Sequence, residues 1–193
     1  DGPLGDAMRR VVASKSQARV HFVRTVSHAR IPCILKAVDV LVVPSVNTET
    51  FGLVGAEAMA MGVPVVSYGI GGVGEYMQHM RTAYLANGTT PMALAKAMAA
   101  VLRDPTLGRQ LAAEGYRHIR STSTSSEALG LYRECKPDLV FCDLRMPGMD
   151  GFQVIEALSA EEATGYLPLL VMTAADDPDS RLRAFGLGAK DFI

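Results

Sequence analysis

The stretch TETFGLVGAEAMAMGVPVV, residues 48–66, decides how the first part of this 193-residue chain folds. The apolar run VLVVPS (40–45) before it reads as a buried strand ending at Ser45. The loop VNTETFG follows, and GLVGAEAMAMG carries the apolar period of a helix starting near Leu53. PVVSYG (64–69) is the next β-branched run. Strand, loop, helix and strand at this spacing make a parallel unit, and open α/β sheets bind ligands beyond the carboxyl ends of their strands. The start of the helix at Leu53 therefore faces a ligand crevice.

The alternation continues on both sides. RVHFV (19–23), AYLA (83–86), LVFCDL (139–144), LPLLVMTA (167–174) and KDFI (190–193) read as further strands. HARIPCILKAV, PMALAKAMAAVLRD, SEALGLYREC, GFQVIEALSAEEA and DSRLRAFGLGA have helical periodicity. Most strands are continuous apolar runs, as expected when both faces are covered. The fold class is α/β: Rossmann-like or flavodoxin-like doubly wound parallel sheets in a three-layer α/β/α arrangement. The polar cluster STSTSS (121–126) interrupts the pattern, with Ser126 placed to cap the helix that follows and Glu127 in its first turn. It divides the chain into 1–120 and 121–193, to within about ten residues, because LAAEGYRHI fits either side.

Lys+Arg 19 against Asp+Glu 20, a formal net charge of -1, leaves no basic footprint for nucleic acid or an anionic membrane. LPLLVM and VDVLVVP are far too short to span a bilayer, and the polar start DGPLGD is no signal peptide, so the expected location is cytoplasmic. Cys33, Cys135 and Cys142 lack CxxC spacing and point to neither a disulfide framework nor a zinc site.

Glu49 lies in the loop before the helix, and Glu57 one turn inside it. Free N–H groups and the positive end of a helix dipole suit a diphosphate, Gly52 permits close approach, and carboxylates accept hydrogen bonds from hydroxyl pairs. This E-x7-E spacing, with FGL, EAMA, G and PVV around it, resembles the second, donor-binding domain of family 4 retaining glycosyltransferases. The resemblance runs from DGPLGDAM through GIGGVGEYM to a helical tail near residue 120. It implies a nucleotide-sugar substrate and, in an active protein, hexosyl transfer. By it, Glu49 is the catalytic-site residue holding donor-sugar hydroxyls, the backbone of Thr50, Phe51, Gly52 and Leu53 faces the sugar and diphosphate, and Glu57 holds the ribose. It also implies an Arg and a Lys that neutralise the diphosphate, and Lys15, Arg24 and Lys36 do not occupy that motif. Gly69, Gly71 and Gly74 also satisfy G-x-G-x-x-G, yet no acidic residue ends the following strand AYLA, so a dinucleotide site is not indicated. Their readings are a turn with unusual backbone angles or a ligand-contacting loop of the glycosyltransferase type.

In the second part, PDLVFCDLRMPGMDGF (137–152) ends an apolar strand on Asp143, an exposed carboxylate able to accept a phosphoryl group where a cation offsets the charge. DLRMPGMDG resembles the phosphoacceptor loop of response-regulator receiver domains. The resemblance makes Asp143 the phosphorylated residue and a Mg2+ ligand with the Arg145 carbonyl. Pro147 and Gly151 shape the loop, Thr173 bonds the phosphoryl group, and Phe192 is the aromatic switch. It implies a histidine kinase or phosphotransfer protein as partner, with Mg2+ the one cofactor expected and only where this site works. The acidic pair of the family is not found before residue 137, Asp176 and Asp177 are misplaced for it, and Lys190 fills a variable position instead of the phosphate-binding lysine.

The resulting expectation is a fusion of a donor-binding fragment with a receiver fragment, inactive as an isolated chain. A two-component signalling module and an inactive α/β scaffold are the alternatives. Partial sheets leave open edges, which one merged sheet or dimerisation would cover.

Overall fold

The computed structural model describes residues 5–14, 19–27, 30–46, 51–122, 124–146, 150–161, 167–172 and 178–192. The chain forms two compact units, Asp1–Ile119 and Arg120–Ile193.

The first unit contains helices α1 (Gly5–Ala13), α2 (Ile31–Leu35), α3 (Leu53–Ala60), α4 (Pro91–Arg103) and α5 (Pro105–His118). Its strands are β1 (Leu41–Val43), β2 (Val65–Ser67) and β3 (Tyr84–Leu85), with a 3-10 helix at Gly71–Glu75. The strands are parallel in the order β1-β2-β3, Leu41 opposite Val65 and Val66 opposite Tyr84. All three residues of the central β2 are buried. Val65 packs on one face with Leu35, Met59 and Met77, and Val66 on the other with Ala97, Val101 and Leu111, so helices cover both faces. Proline at the first position and a polar cap start the two long helices: Thr90 accepts from the Ala93 N–H at 3.2 Å, and Asp104 from those of Thr106 and Leu107 at 3.0 and 3.1 Å.

The second unit contains α6 (Ser125–Cys135), β4 (Val140–Asp143), α7 (Gly151–Glu161), β5 (Leu169–Met172), α8 (Pro178–Leu187) and β6 (Asp191–Phe192). Its sheet is also parallel, in the order β4-β5-β6. Cys142, Val154, Ile155, Leu158, Val171 and Ala184 form its core. Arg133 and Glu161 pair through two side-chain bonds that join α6 to α7 at the surface, a contact worth little in stability.

Three expectations are corrected. RVHFV forms no strand: residues 19–27 carry no regular structure, and Val20 and Val23 are 45% and 70% exposed. A strand needs a neighbour for its N–H and C=O groups, and among the described strands none pairs with this segment. Phe22 instead lies under the Arg9 guanidinium of α1, 5.1 Å from the ring centre. The cap of α6 is Thr124 and not Ser126, which lies inside the helix. Glu127, three residues after Thr124, accepts from the Thr122 hydroxyl at 2.9 Å, and the hydroxyls of Thr124 and Thr122 hold its carboxyl below the usual range. The merged sheet is also replaced: among the described residues, β1-β2-β3 and β4-β5-β6 are separate three-stranded sheets.

The segment LAAEGYRHI belongs by packing to the first unit. At Gly115 of α5 an added Cβ would lie 3.2 Å from Met59 Cγ and 3.3 Å from the Thr82 carbonyl oxygen. Gly115→Leu should therefore destabilise the first unit by about 1–3 kcal/mol through overpacking. Chemical denaturation followed by hydrogen exchange should show the loss in residues 30–119 and leave residues 125–192 unchanged.

Candidate functional site

The N-terminus of α3 is fixed by glycine and by one long-range contact. Gly52 is buried and left-handed, φ 73 and ψ 52, at the cap position. That geometry turns the chain from the loop into the helix without a Cβ penalty. The Gly52 carbonyl accepts two hydrogen bonds, from the Gly55 N–H at 2.9 Å and from the Tyr76 hydroxyl at 2.7 Å. The Phe51 and Tyr76 rings are 4.9 Å apart. A Cβ at Gly55 would fall 2.2 Å from Met77 Cε, so the small residue lets α3 approach the loop after the 3-10 helix.

Leu53 and Glu57, four residues apart, share the outward side of α3, Leu53 exposed and Glu57 half-buried. Gly55, Ala56, Ala58, Met59 and Ala60 are buried. Glu57 is the one charged residue of this helix. Of the predicted donor residues, Phe51, Gly52, Leu53 and Glu57 are thus brought to one helix start, and Glu49 and Thr50 lie outside the described residues. Gly69 and Gly71 have φ of 68 and 76, the turn angles anticipated for this loop, and a 3-10 helix follows instead of the long helix of a dinucleotide site. Two open clefts of about 640 and 460 Å3, lined in part by Tyr84, Ala93 and Lys96 and by Val42, Tyr68 and Leu94, include none of residues 51–57.

Sequence reasoning missed Tyr76. Its only local signal is an aromatic residue directly after GGVGE, and its partner lies 24 positions away.

In the second unit Asp143 is the last residue of β4, exposed and opposite Met172 of β5. Its Oδ1 accepts from the Arg145 N–H at 3.0 Å, which orients the carboxylate. Gly151 begins α7 in close contact with the strand end: its N–H donates to the Leu144 carbonyl at 3.1 Å, and a Cβ there would fall 2.2 Å from the Asp143 carbonyl oxygen. Any side chain would push α7 away from the end of β4. Pro147, Thr173, Asp176 and Asp177 lie outside the described residues. Phe192 is half-buried on β6, edge-on to Phe185 at 5.1 Å and 5.3 Å from the Arg181 guanidinium. Lys190 donates its N–H to the Leu169 carbonyl, at the end of the sheet away from Asp143. The offset is about 10 Å at the usual rise of a strand.

The described donors for a cation are the Asp143 carboxylate and the Arg145 carbonyl. No group of three or more His, Cys, Asp or Glu suited to a metal occurs among the described residues. This set is too thin to hold Mg2+ firmly without water and phosphate oxygens.

Residues 1–104 match the family described as glycosyl transferases group 1. The chain belongs to that family. Residues 102–193 match the response regulator receiver domain, so the chain joins a glycosyltransferase fragment to a receiver fragment. It is 32% identical over 143 residues to a D-inositol 3-phosphate glycosyltransferase of Salinispora tropica, covering 69% of this chain and 30% of that protein. It is 33% identical over 87 residues to the response regulator PleD of Caulobacter vibrioides, covering 45% of this chain and 19% of that protein. The chain thus spans less than a third of the length of these relatives. Among solved structures it is similar to Anabaena HepE in complex with UDP-glucose, at 25% identity and TM-score 0.53, covering 58% of this chain and 30% of that one. The C-terminal domain of a group 1 glycosyl transferase from Francisella tularensis shares the fold, at 24% identity and TM-score 0.52, covering 58% of each chain. No helix among the described residues is long and apolar enough to cross a membrane.

Beside Asp143, burial pushes the Cys142 thiol up to about 11 from an ordinary 9.0, and the neighbouring carboxylate adds to the shift. The folded state therefore favours the protonated thiol, and its contribution to stability falls as pH rises from about 9 to about 11. Iodoacetamide labelling of the native protein at pH 8.5, read by mass spectrometry, should modify the exposed Cys33 and spare Cys142 until the chain unfolds.

Proposed function

We propose that residues 49–57 bind the nucleotide-sugar donor of a retaining glycosyl transfer and that Asp143 accepts a phosphoryl group, in a chain that carries both modules. The modules divide at residues 120 and 121. The observation that supports the donor reading is the start of α3: a left-handed Gly52, and an outward Leu53 sharing one side with Glu57, the one charged residue of the helix. Backbone N–H groups of the first helical turn suit the diphosphate, where negative charge grows as the donor's glycosidic bond breaks. Glu57 accepts from the ribose hydroxyls, and Glu49 from those of the sugar. These residues bind the donor and do not attack it, so donor binding is the function proposed for the first unit. HepE, one of the similar structures, is in complex with UDP-glucose, which makes UDP-glucose the first probe.

Titration calorimetry with UDP-glucose should give saturable binding that weakens roughly thirtyfold in Glu57→Ala, about 2 kcal/mol for a hydrogen bond to a charged group. Equal affinity of the two proteins would reject the donor site.

The receiver reading rests on Asp143, exposed at the carboxyl end of β4 with its carboxylate oriented by the Arg145 N–H. A carboxylate oxygen attacks phosphorus, the phosphoryl donor's leaving group departs, and an acyl phosphate forms. A histidine kinase or a phosphotransfer protein is the partner this implies, and Mg2+, where bound, supplies charge neutralisation. Free cysteines in both units fit a reducing compartment such as the cytoplasm. Acetyl phosphate with Mg2+ should add one phosphoryl mass to the wild type and none to Asp143→Asn, with amide shifts at Leu144, Arg145 and Phe192. Unmodified wild-type protein with an unchanged spectrum would reject the phosphoacceptor.

A further inference from the structure

We infer that Tyr76 is a positioning residue for the donor loop, acting through its hydroxyl on the Gly52 carbonyl; the inference rests on the donor reading of residues 49–57. The Tyr76 side chain is 5% exposed, and its hydroxyl donates to Gly52 at 2.7 Å from 24 residues away. The carbonyl it holds belongs to the left-handed residue that turns the chain into α3. The same carbonyl accepts the Gly55 N–H, so the first turn of α3 and the Tyr76 hydroxyl share one acceptor.

Tyr76 is itself fixed from the other side. The Thr82 hydroxyl, 2% exposed, donates to the Tyr76 carbonyl at 2.7 Å and accepts the Gln78 N–H at 2.8 Å. Hydrogen bonds therefore run from Gln78 through Thr82 and Tyr76 to Gly52, and they link the chain entering β3 to the start of α3. Phe51, stacked on the Tyr76 ring, holds the residue before the turn. The hydroxyl adds little to burial, since the ring alone would fill the space. Its work is directional: it sets which way the Gly52 peptide faces, and so where the N–H groups of Leu53 and Val54 point.

The separating variant is Tyr76→Phe, which keeps the ring and its stacking and removes only the donor. In the ligand-free protein, amide hydrogen exchange at Gly55, whose N–H bonds to the same carbonyl, should accelerate about fivefold to tenfold, the effect of losing one ordinary hydrogen bond. UDP-glucose affinity should fall by a similar factor, with exchange in α4 and α5 unchanged. Thr82→Ser, which retains the hydroxyl, should behave as wild type, and Thr82→Val should reproduce the loss. Unchanged exchange at Gly55 in Tyr76→Phe overturns the positioning role, even if affinity falls, because the hydroxyl would then be acting on the ligand. Faster exchange with no UDP-glucose binding by the wild type keeps Tyr76 as the fastener of the loop and removes the donor reading instead.

Discussion

Both halves of the chain depend on how closely a helix can begin against the structure beside a strand's carboxyl end. Parallel strands deliver their carboxyl ends to one edge, and the helix that follows must turn back at once to cover the sheet. At Gly151 the backbone of α7 comes so near Asp143 that a Cβ would overlap the carbonyl oxygen. Around α3, Gly52 supplies the left-handed turn and Gly55 the close contact with Tyr76 and Met77. Replacing any of these glycines alters the spacing of a candidate site before it alters the core.

The legible part of the sequence was the part that follows from short-range pattern. PVVSYG became β2 because a strand buried on both faces needs unbroken apolar text, as buried Val65 and Val66 bear out; LVFCDL became β4 with only Cys142 of its four strand residues buried. Pro91 and Pro105 with their polar caps mark the starts of α4 and α5 without tertiary information. RVHFV has equally good strand composition and forms none, because pairing depends on a neighbour that composition does not report. Tyr76 was illegible for the same reason: a hydrogen bond across 24 positions has no periodic signature.

The junction shows the two sources of information competing. The receiver match begins at residue 102, whereas the second compact unit begins at Arg120. Residues 105–118 are an amphipathic helix that the receiver match covers and the glycosyltransferase match does not. Packing is more selective. Leu111 is fully buried with Val66 and Val101, and Gly115 seats against Met59 and Thr82, all within the first unit. Residue volume fitted to a particular neighbour decides the membership of α5.

The candidate sites also share an electrostatic economy that follows from their position. Each places a carboxylate near the start of a helix with no charged residue in its first turn: Glu57 on α3, and Asp143 beside α7, where Asp150 also accepts from the Gln153 N–H. In such surroundings the fixed partial charges are backbone N–H groups, and their direction is set by the glycine turn and by whatever holds it. Side-chain cations can be supplied by flexible loops, but the N–H array cannot be rearranged without unwinding the helix. The orientation of the Gly52 peptide, held by the Tyr76 hydroxyl, is therefore set by packing across 24 positions and not by the charge of Glu57.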